Sequence, residues 1–157
     1  MHAMKRTLGP VILLIENEES DVYFFKRALS QVNFTGTVRV AGSVGEAREY
    51  LEGEGLFADR DYFPLPDLIV SDMNLPGLPG NYFLEWLRGE PEFSIIPFVF
   101  LSGSFLPAER TQALDLGAGG FFVKTSDSQL MKDRVRSLLK FLPPQPKARK
   151  AETEAQA

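Results

Sequence analysis

Apolar residues in this chain gather in short blocks that stop at polar groups, and the blocks alternate with stretches of helical spacing. Val11 to Ile15 is an unbroken apolar run that stops at Glu16-Asn17-Glu18-Glu19, the pattern of a strand buried on both faces. Ser20 or Glu19 then caps a predicted helix through Gln31, with Val22, Phe25, Leu29 and Val32 at core spacing. Thr37 to Ala41 alternates like a half-buried edge strand. Ser43 caps a second predicted helix over Glu46 to Glu52, closed by Gly53 and Gly55. After a polar, aromatic connection from Leu56 to Pro66, strand three runs from Leu68 to Ser71 and drops through Asp72 into a Pro/Gly turn. Gly80 opens a helix to Arg88 with Phe83, Leu84 and Leu87 inward. Ile95 to Leu101 reads as strand four, opening onto Ser102-Gly103-Ser104. Pro107 suits the first turn of a helix to Leu116 that Gly117 closes. Gly120 to Val123 is strand five and ends at Lys124. Asp127 or Ser128 caps a last helix to Leu142, which Pro143-Pro144 stops.

Five strand–helix units with short connections predict an α/β fold, a single parallel sheet with helices on both faces. Residues 9–142 form the folded unit and residues 1–8 an N-terminal extension. Residues 143–157 are rich in Pro, Lys, Arg, Ala, Glu and Gln without apolar periodicity, and read as a disordered tail.

At 157 residues, with 44% hydrophobic and 24% charged residues, the chain has the makings of one soluble globular domain. A net charge of −4 argues against a general nucleic-acid binder. No apolar run reaches the length of a membrane span and no secretory signal opens the chain. The absence of cysteine excludes disulfides and thiolate chemistry and fits a cytoplasmic location. The single histidine, His2, lies near the N-terminus, so no histidine base or metal cluster is built into the folded part. The available chemistry is that of carboxylates, hydroxyls, lysine and backbone groups.

What terminates each strand narrows that chemistry. Strand one ends at Glu16 and Asn17, strand three at Asp72, strand four at Ser102 and strand five at Lys124. In a parallel sheet these ends share one edge, where α/β proteins place their ligands. Two carboxylates and an amide suit a hard cation such as Mg²⁺. A lysine and a hydroxyl suit the oxygens of a phosphoryl group. Taken singly, Asp72 is equally an acid that satisfies turn backbone, and a functionless Lys–Asp pair would explain two members of the set.

The stretches Ile12 to Glu18, Pro66 to Gly77, Ile96 to Ser104 and Gly117 to Lys124 together resemble the receiver domain of two-component response regulators. The resemblance covers residues 9 to 142. It implies a flavodoxin-like sheet of order 2-1-3-4-5. The long connection Gly53 to Pro66 and the lack of an output domain resemble stand-alone receivers that serve phytochrome-type histidine kinases. Asp72 then corresponds to the phosphoacceptor, Glu16 and Asn17 to the acidic pair that holds Mg²⁺, and the carbonyl of Asn74 to a third metal ligand. Ser102 corresponds to the switch hydroxyl, Lys124 to the lysine that pairs with the phosphoryl, Gly103 and Met73 to phosphoryl-binding positions, and Phe121 to the switch aromatic. Plain packing of strand five is an equal reading of Phe121. The implied partner is a histidine kinase or histidine phosphotransfer protein, the implied role that of a signalling phosphoacceptor and not an enzyme, with neither nucleic acid nor membrane involved.

Two positions depart from the family pattern. Asn17 stands where a second acid is usual, which predicts weaker Mg²⁺ binding and keeps open a receiver that works by contact without phosphorylation. Thr125 stands where a proline usually follows the lysine, which leaves the isomer of that peptide bond open. A flavin or nucleotide binder of the same topology is disfavoured, because acids and not a Gly-rich cradle follow strand one. On the first helix at least one of Tyr23 and Phe24 is expected to be exposed, as partner-docking aromatics are. Trp86 is expected to be partly buried, and Phe141, Leu142 and Pro143 could extend a homodimer seam.

Overall fold

The computed structural model describes residues 9–104 and 106–144. Strands β1 (Val11–Ile15), β2 (Thr37–Ala41), β3 (Leu68–Ser71), β4 (Phe98–Ser102) and β5 (Gly120–Val123) form one parallel sheet in the order β2-β1-β3-β4-β5, the expected order. Helices α1 (Glu19–Gln31), α2 (Val44–Glu52), α3 (Gly80–Gly89), α4 (Pro107–Asp115) and α5 (Ser128–Leu139) connect and cover it. Side chains alternate across each strand. Leu13, Ile15, Ile69, Phe98 and Phe100 pack with Ala47, Leu51, Phe83, Leu84 and Leu87 of α2 and α3. Ile12, Leu14, Leu68, Val70 and Val99 pack on the other face with Phe25, Leu29, Val135 and Leu138 of α1 and α5. Every residue of β1, β3 and β4 is buried, whereas β2 is half-exposed, as its alternating sequence requires of an edge.

Several boundaries differ from the sequence reading. The cap of α1 is Glu18, with no side-chain capping bond. Glu16 fixes the turn instead, its Oε2 accepting the Glu18 N–H at 3.1 Å. Ser43 does cap α2, accepting from the Glu46 N–H, but the helix starts at Val44. Strand β4 begins at Phe98, not Ile95. The preceding backbone folds into turns in which Phe93 and Ser94 donate to Glu90 and Ile96 donates to Phe93, leaving Ile95 87% exposed. Helix α5 ends at Leu139, short of Leu142. Phe141 and Leu142 continue as tighter turns to Leu138 and Leu139, and the Phe141 ring folds onto Phe122 with centroids 6.2 Å apart. Phe141 and Leu142, expected at a dimer seam, are thus largely engaged by the core of their own chain.

The connection between α2 and β3 has its own order. Phe63 meets both Tyr50 and Phe57 edge to face while those two rings pack tilted, and Arg60 donates to the carbonyls of Tyr50 and Phe63. The buried Tyr50 hydroxyl donates to the Pro64 carbonyl at 2.8 Å, and burial pushes its pKa up to about 12. Among the described residues, no helix is long and apolar enough to cross a membrane.

Candidate functional site

The sheet ladder continues one residue past the strand ends and thereby aligns the polar side chains. The Glu16 N–H donates to Ala41, the Asp72 N–H to Ile15 and the Lys124 N–H to Ser102, at 2.8–3.0 Å. Glu16, Asp72 and Lys124 are therefore fixed by the same lattice that fixes the core. Glu16 is 4% and Asp72 8% exposed. Gly80 lets α3 start directly under this edge. Its N–H donates to the Met73 carbonyl, and a Cβ there would come within 2.4 Å of the Asp72 carbonyl oxygen.

Lys124 is the hub. Its ammonium lies 2.6 Å from Glu16 Oε1, 2.8 Å from Asp21 Oδ2 and 3.0 Å from Asp72 Oδ2. Burial would lower the lysine pKa, but the three carboxylate bonds outweigh it and hold the group well above its ordinary value. Glu16 is pushed upward, because burial outweighs its bonds to Lys124 and the Glu18 N–H. The remaining oxygen of Asp72, Oδ1, accepts the Asn74 N–H at 3.2 Å. This orients the carboxylate toward an open cleft of about 520 Å³ lined by Asp21, Phe24, Asp72, Asn74, Gly103 and Lys124 among others.

The other sequence candidates fall in different places. Ser102 is fully buried at the end of β4, and its hydroxyl has no hydrogen-bond partner among the described residues. Gly103 lines the cleft with open space where a side chain would stand. Asn74 is exposed on the cleft rim, its amide 3.5 Å from Ser104 Oγ. Asn17 is exposed and takes no part in the bonds around Lys124. The Met73 side chain is 3% exposed and packs into the core, so any contact it makes in the cleft falls to its backbone. Phe121 is 8% exposed, with its ring packed inward 6.1 Å from Phe100. No described peptide bond is cis, so Lys124–Thr125 is trans. Tyr23 and Phe24 are both exposed, at 60% and 50%, and Trp86 is partly buried under the Arg48 guanidinium.

Sequence reading missed Asp21. The available signal was its place in the first turn of α1, one turn beyond the acids that end β1.

Magnesium favours one or two carboxylates with several waters over an all-protein cage. Among the described residues no three acidic or histidine side chains form a ready cage; the acids surround the ammonium instead. Asp72 lines the open cleft, and the buried Glu16 shares Lys124 with it, so the two supply hard oxygen donors of a kind that fits Mg²⁺.

A five-stranded 2-1-3-4-5 sheet with acids and a lysine at its carboxyl edge defines a receiver-type α/β module. The chain belongs to the response regulator receiver domain family, whose pattern matches residues 12–136. It is thus a receiver of two-component signalling. Response regulator Rre1 of Synechocystis sp. is 29% identical over 130 residues, covering 83% of this chain. The chain spans about half of Rre1, 52% of its length. Among solved structures, the phosphorylated cyanobacterial phytochrome response regulator RcpA superposes with a TM-score of 0.75 at 27% identity, covering 86% of this chain and 94% of RcpA. Response regulator RPA3017, in red light signaling of R. palustris, gives a TM-score of 0.80 at 24% identity, covering 87% of this chain and all of that one (100%).

Proposed function

We propose that this receiver, with residues 9–142 as its folded unit, accepts a phosphoryl group on Asp72 from a phosphohistidine. The donor is a histidine kinase or histidine phosphotransfer protein in the cytoplasm. The observation that carries this reading is the Asp72 carboxylate, held rigid by the Asn74 N–H and by Lys124 at the mouth of the cleft. An Asp72 oxygen forms the new bond to phosphorus as the phosphorus–nitrogen bond breaks, and the electron pair leaves with the imidazole nitrogen. Lys124 exchanges its bond to Asp72 for one to a phosphoryl oxygen. The unpartnered Ser102 hydroxyl takes another.

Glu16 and Asp72, with the Asn17 amide and the Asn74 carbonyl, are the groups that would hold Mg²⁺. The ion supplies neutralisation of charge on the transferring group. Asn17 brings no charge to that set, so weak metal affinity is expected. The inward Phe121 and Ser102 form the switch pair, with Gly103 leaving room for the phosphoryl and Met73 lending its backbone.

The partner's docking face is α1 and the loop after Lys124. Exposed Phe24 lines both the phosphoacceptor cleft and a neighbouring crevice with Arg27, Ala28, Thr125, Ser126 and Met131. The similarity to RcpA, a phytochrome response regulator, favours a phytochrome-type kinase as the donor.

The test is intact mass after incubation with acetyl phosphate and Mg²⁺. One added phosphoryl group, absent without Mg²⁺ and absent in Asp72→Asn, supports the reading. No adduct from acetyl phosphate or from a kinase would favour a receiver that signals by contact alone.

A further inference from the structure

Two of the three carboxylates at Lys124 sit at strand ends; the third does not. Asp21 comes from the first turn of α1, its side chain is 37% exposed, and its bond to Nζ is 2.8 Å, against 3.0 Å for Asp72. An ammonium has three hydrogens to donate, and Glu16, Asp21 and Asp72 match that capacity. The group is therefore saturated. A cation drawn to Glu16 and Asp72 competes with Lys124 for the same oxygens. Asp21 stands outside that pair, on the rim of the cleft.

We propose that Asp21 is a positioning residue that keeps the Lys124 ammonium seated on the α1 side of the cleft while Glu16 and Asp72 turn to Mg²⁺. This inference rests on the metal-assisted phosphoacceptor reading above. Without Asp21 the ammonium has only the two carboxylates the cation needs, and like charges then contend for one set of oxygens. Asp21 also supplies a formal negative charge that Asn17 lacks. Asp21 belongs to the first turn of α1 and not to the sheet edge, so its bond to the ammonium is independent of the strand-end oxygens that a cation would draw on.

The test is a double-mutant cycle on the full chain, with Mg²⁺ affinity read by calorimetry and Mn²⁺ binding by electron paramagnetic resonance. Asp21→Asn is expected to weaken Mg²⁺ binding by about 3- to 10-fold, the size of coupling usual between residues in contact. Asp21→Glu, which keeps the charge and lengthens the side chain by one methylene, is expected to retain most of the wild-type affinity. In a Lys124→Met background Asp21→Asn is expected to change affinity by less than about 2-fold, because no ammonium remains to be seated. Far-UV circular dichroism and urea midpoints report whether each variant folds.

Unchanged affinity in Asp21→Asn overturns the inference and leaves the phosphoacceptor reading standing. Equal losses in both backgrounds also overturn it, because Asp21 then acts on the cation without the lysine. A wild-type chain that binds neither Mg²⁺ nor Mn²⁺ fells the metal reading together with the inference.

Discussion

The Asp72 carboxylate and the Lys124 ammonium lie 3.0 Å apart although they extend strands β3 and β5, which are separated in the sheet by β4. Lys124 spans that strand by passing over the end of β4, where the Ser102 hydroxyl is buried without a partner. The contact makes Lys124 both a structural counter-ion and a group placed to meet whatever Asp72 acquires. Removing it leaves three carboxylates without their common cation. Lys124→Met is expected to lower unfolding free energy by about 2 kcal/mol. That is below the roughly 3–5 kcal/mol of a broken buried pair, because water screens a partly open cleft. Urea denaturation measures it, and 10 mM Mg²⁺ is expected to return part of the loss, about half or more, if the cation replaces the ammonium. A variant as stable as wild type would show that the acids need no counter-ion.

Ser102→Ala separates stability from switching. The hydroxyl is fully buried and unsatisfied, so deleting it removes a desolvated polar group and is expected to leave stability unchanged or raise it by up to about 1 kcal/mol. The chemical-shift changes that phosphorylation produces around Phe121 are expected to shrink. Loss of stability together with unaltered shifts would mean that the hydroxyl serves packing only.

Gly80→Ala tests how tightly α3 is pressed under the site. The added Cβ would meet the Asp72 carbonyl oxygen at 2.4 Å, the Phe100 ring at 2.8 Å and the Met73 Cα at 3.1 Å. Two of these neighbours are backbone atoms and cannot turn aside. A destabilisation of about 2–3 kcal/mol is expected, with slower phosphorylation of Asp72 as its loop shifts. A wild-type urea midpoint would show that the loop yields freely.

Alkaline pH exposes two groups whose folded pKa values lie above their usual ones. Burial raises Tyr50 from 10.0 to about 12, and carboxylate bonds raise Lys124 from 10.5. For both, the protonated form is the one the fold favours. Their stabilising contributions are therefore complete below pH 10 and fall away as pH rises through the folded values. The phenolate absorbance titration of the folded protein is expected to contain a component near pH 12 that Tyr50→Phe lacks. Identical curves would contradict the burial of that hydroxyl. Tyr50→Phe also leaves the Pro64 carbonyl without its donor, at a cost of about 1 kcal/mol.

Which features were legible follows from where they sit. Glu16, Asp72, Ser102 and Lys124 each end an apolar run, and parallel pairing converts those ends into neighbours whatever their separation along the chain. Asp21 was hidden, because a helix-turn acid looks like a solvated charge until the reach of Lys124 is known. Ile95 and Ile96 looked like strand because they extend an apolar run. The segment before them instead turns back on Glu90 through Phe93 and Ser94, and Ile96 donates its N–H to Phe93 and accepts from Arg88, a competition that hydrophobicity does not record. Met73, next to a cleft acid, faces the core by the same alternation that turns Asp72 outward. The end of α5 was overrun because Phe141 and Leu142 are apolar for the sake of Phe122 and the neighbouring core, not for another helical turn.

The central claim is that residue 72, and no other carboxylate of the cluster, forms the acyl phosphate. Borohydride reduction of the phosphorylated chain, followed by peptide mass spectrometry, tests it directly, because hydride converts an aspartyl phosphate to homoserine at the modified position. Homoserine at position 72 alone, formed only when a phosphoryl donor and Mg²⁺ were both supplied, is the expected result. Reduction at Glu16 or Asp21, or no reduced residue in a chain shown to carry phosphate, would contradict it.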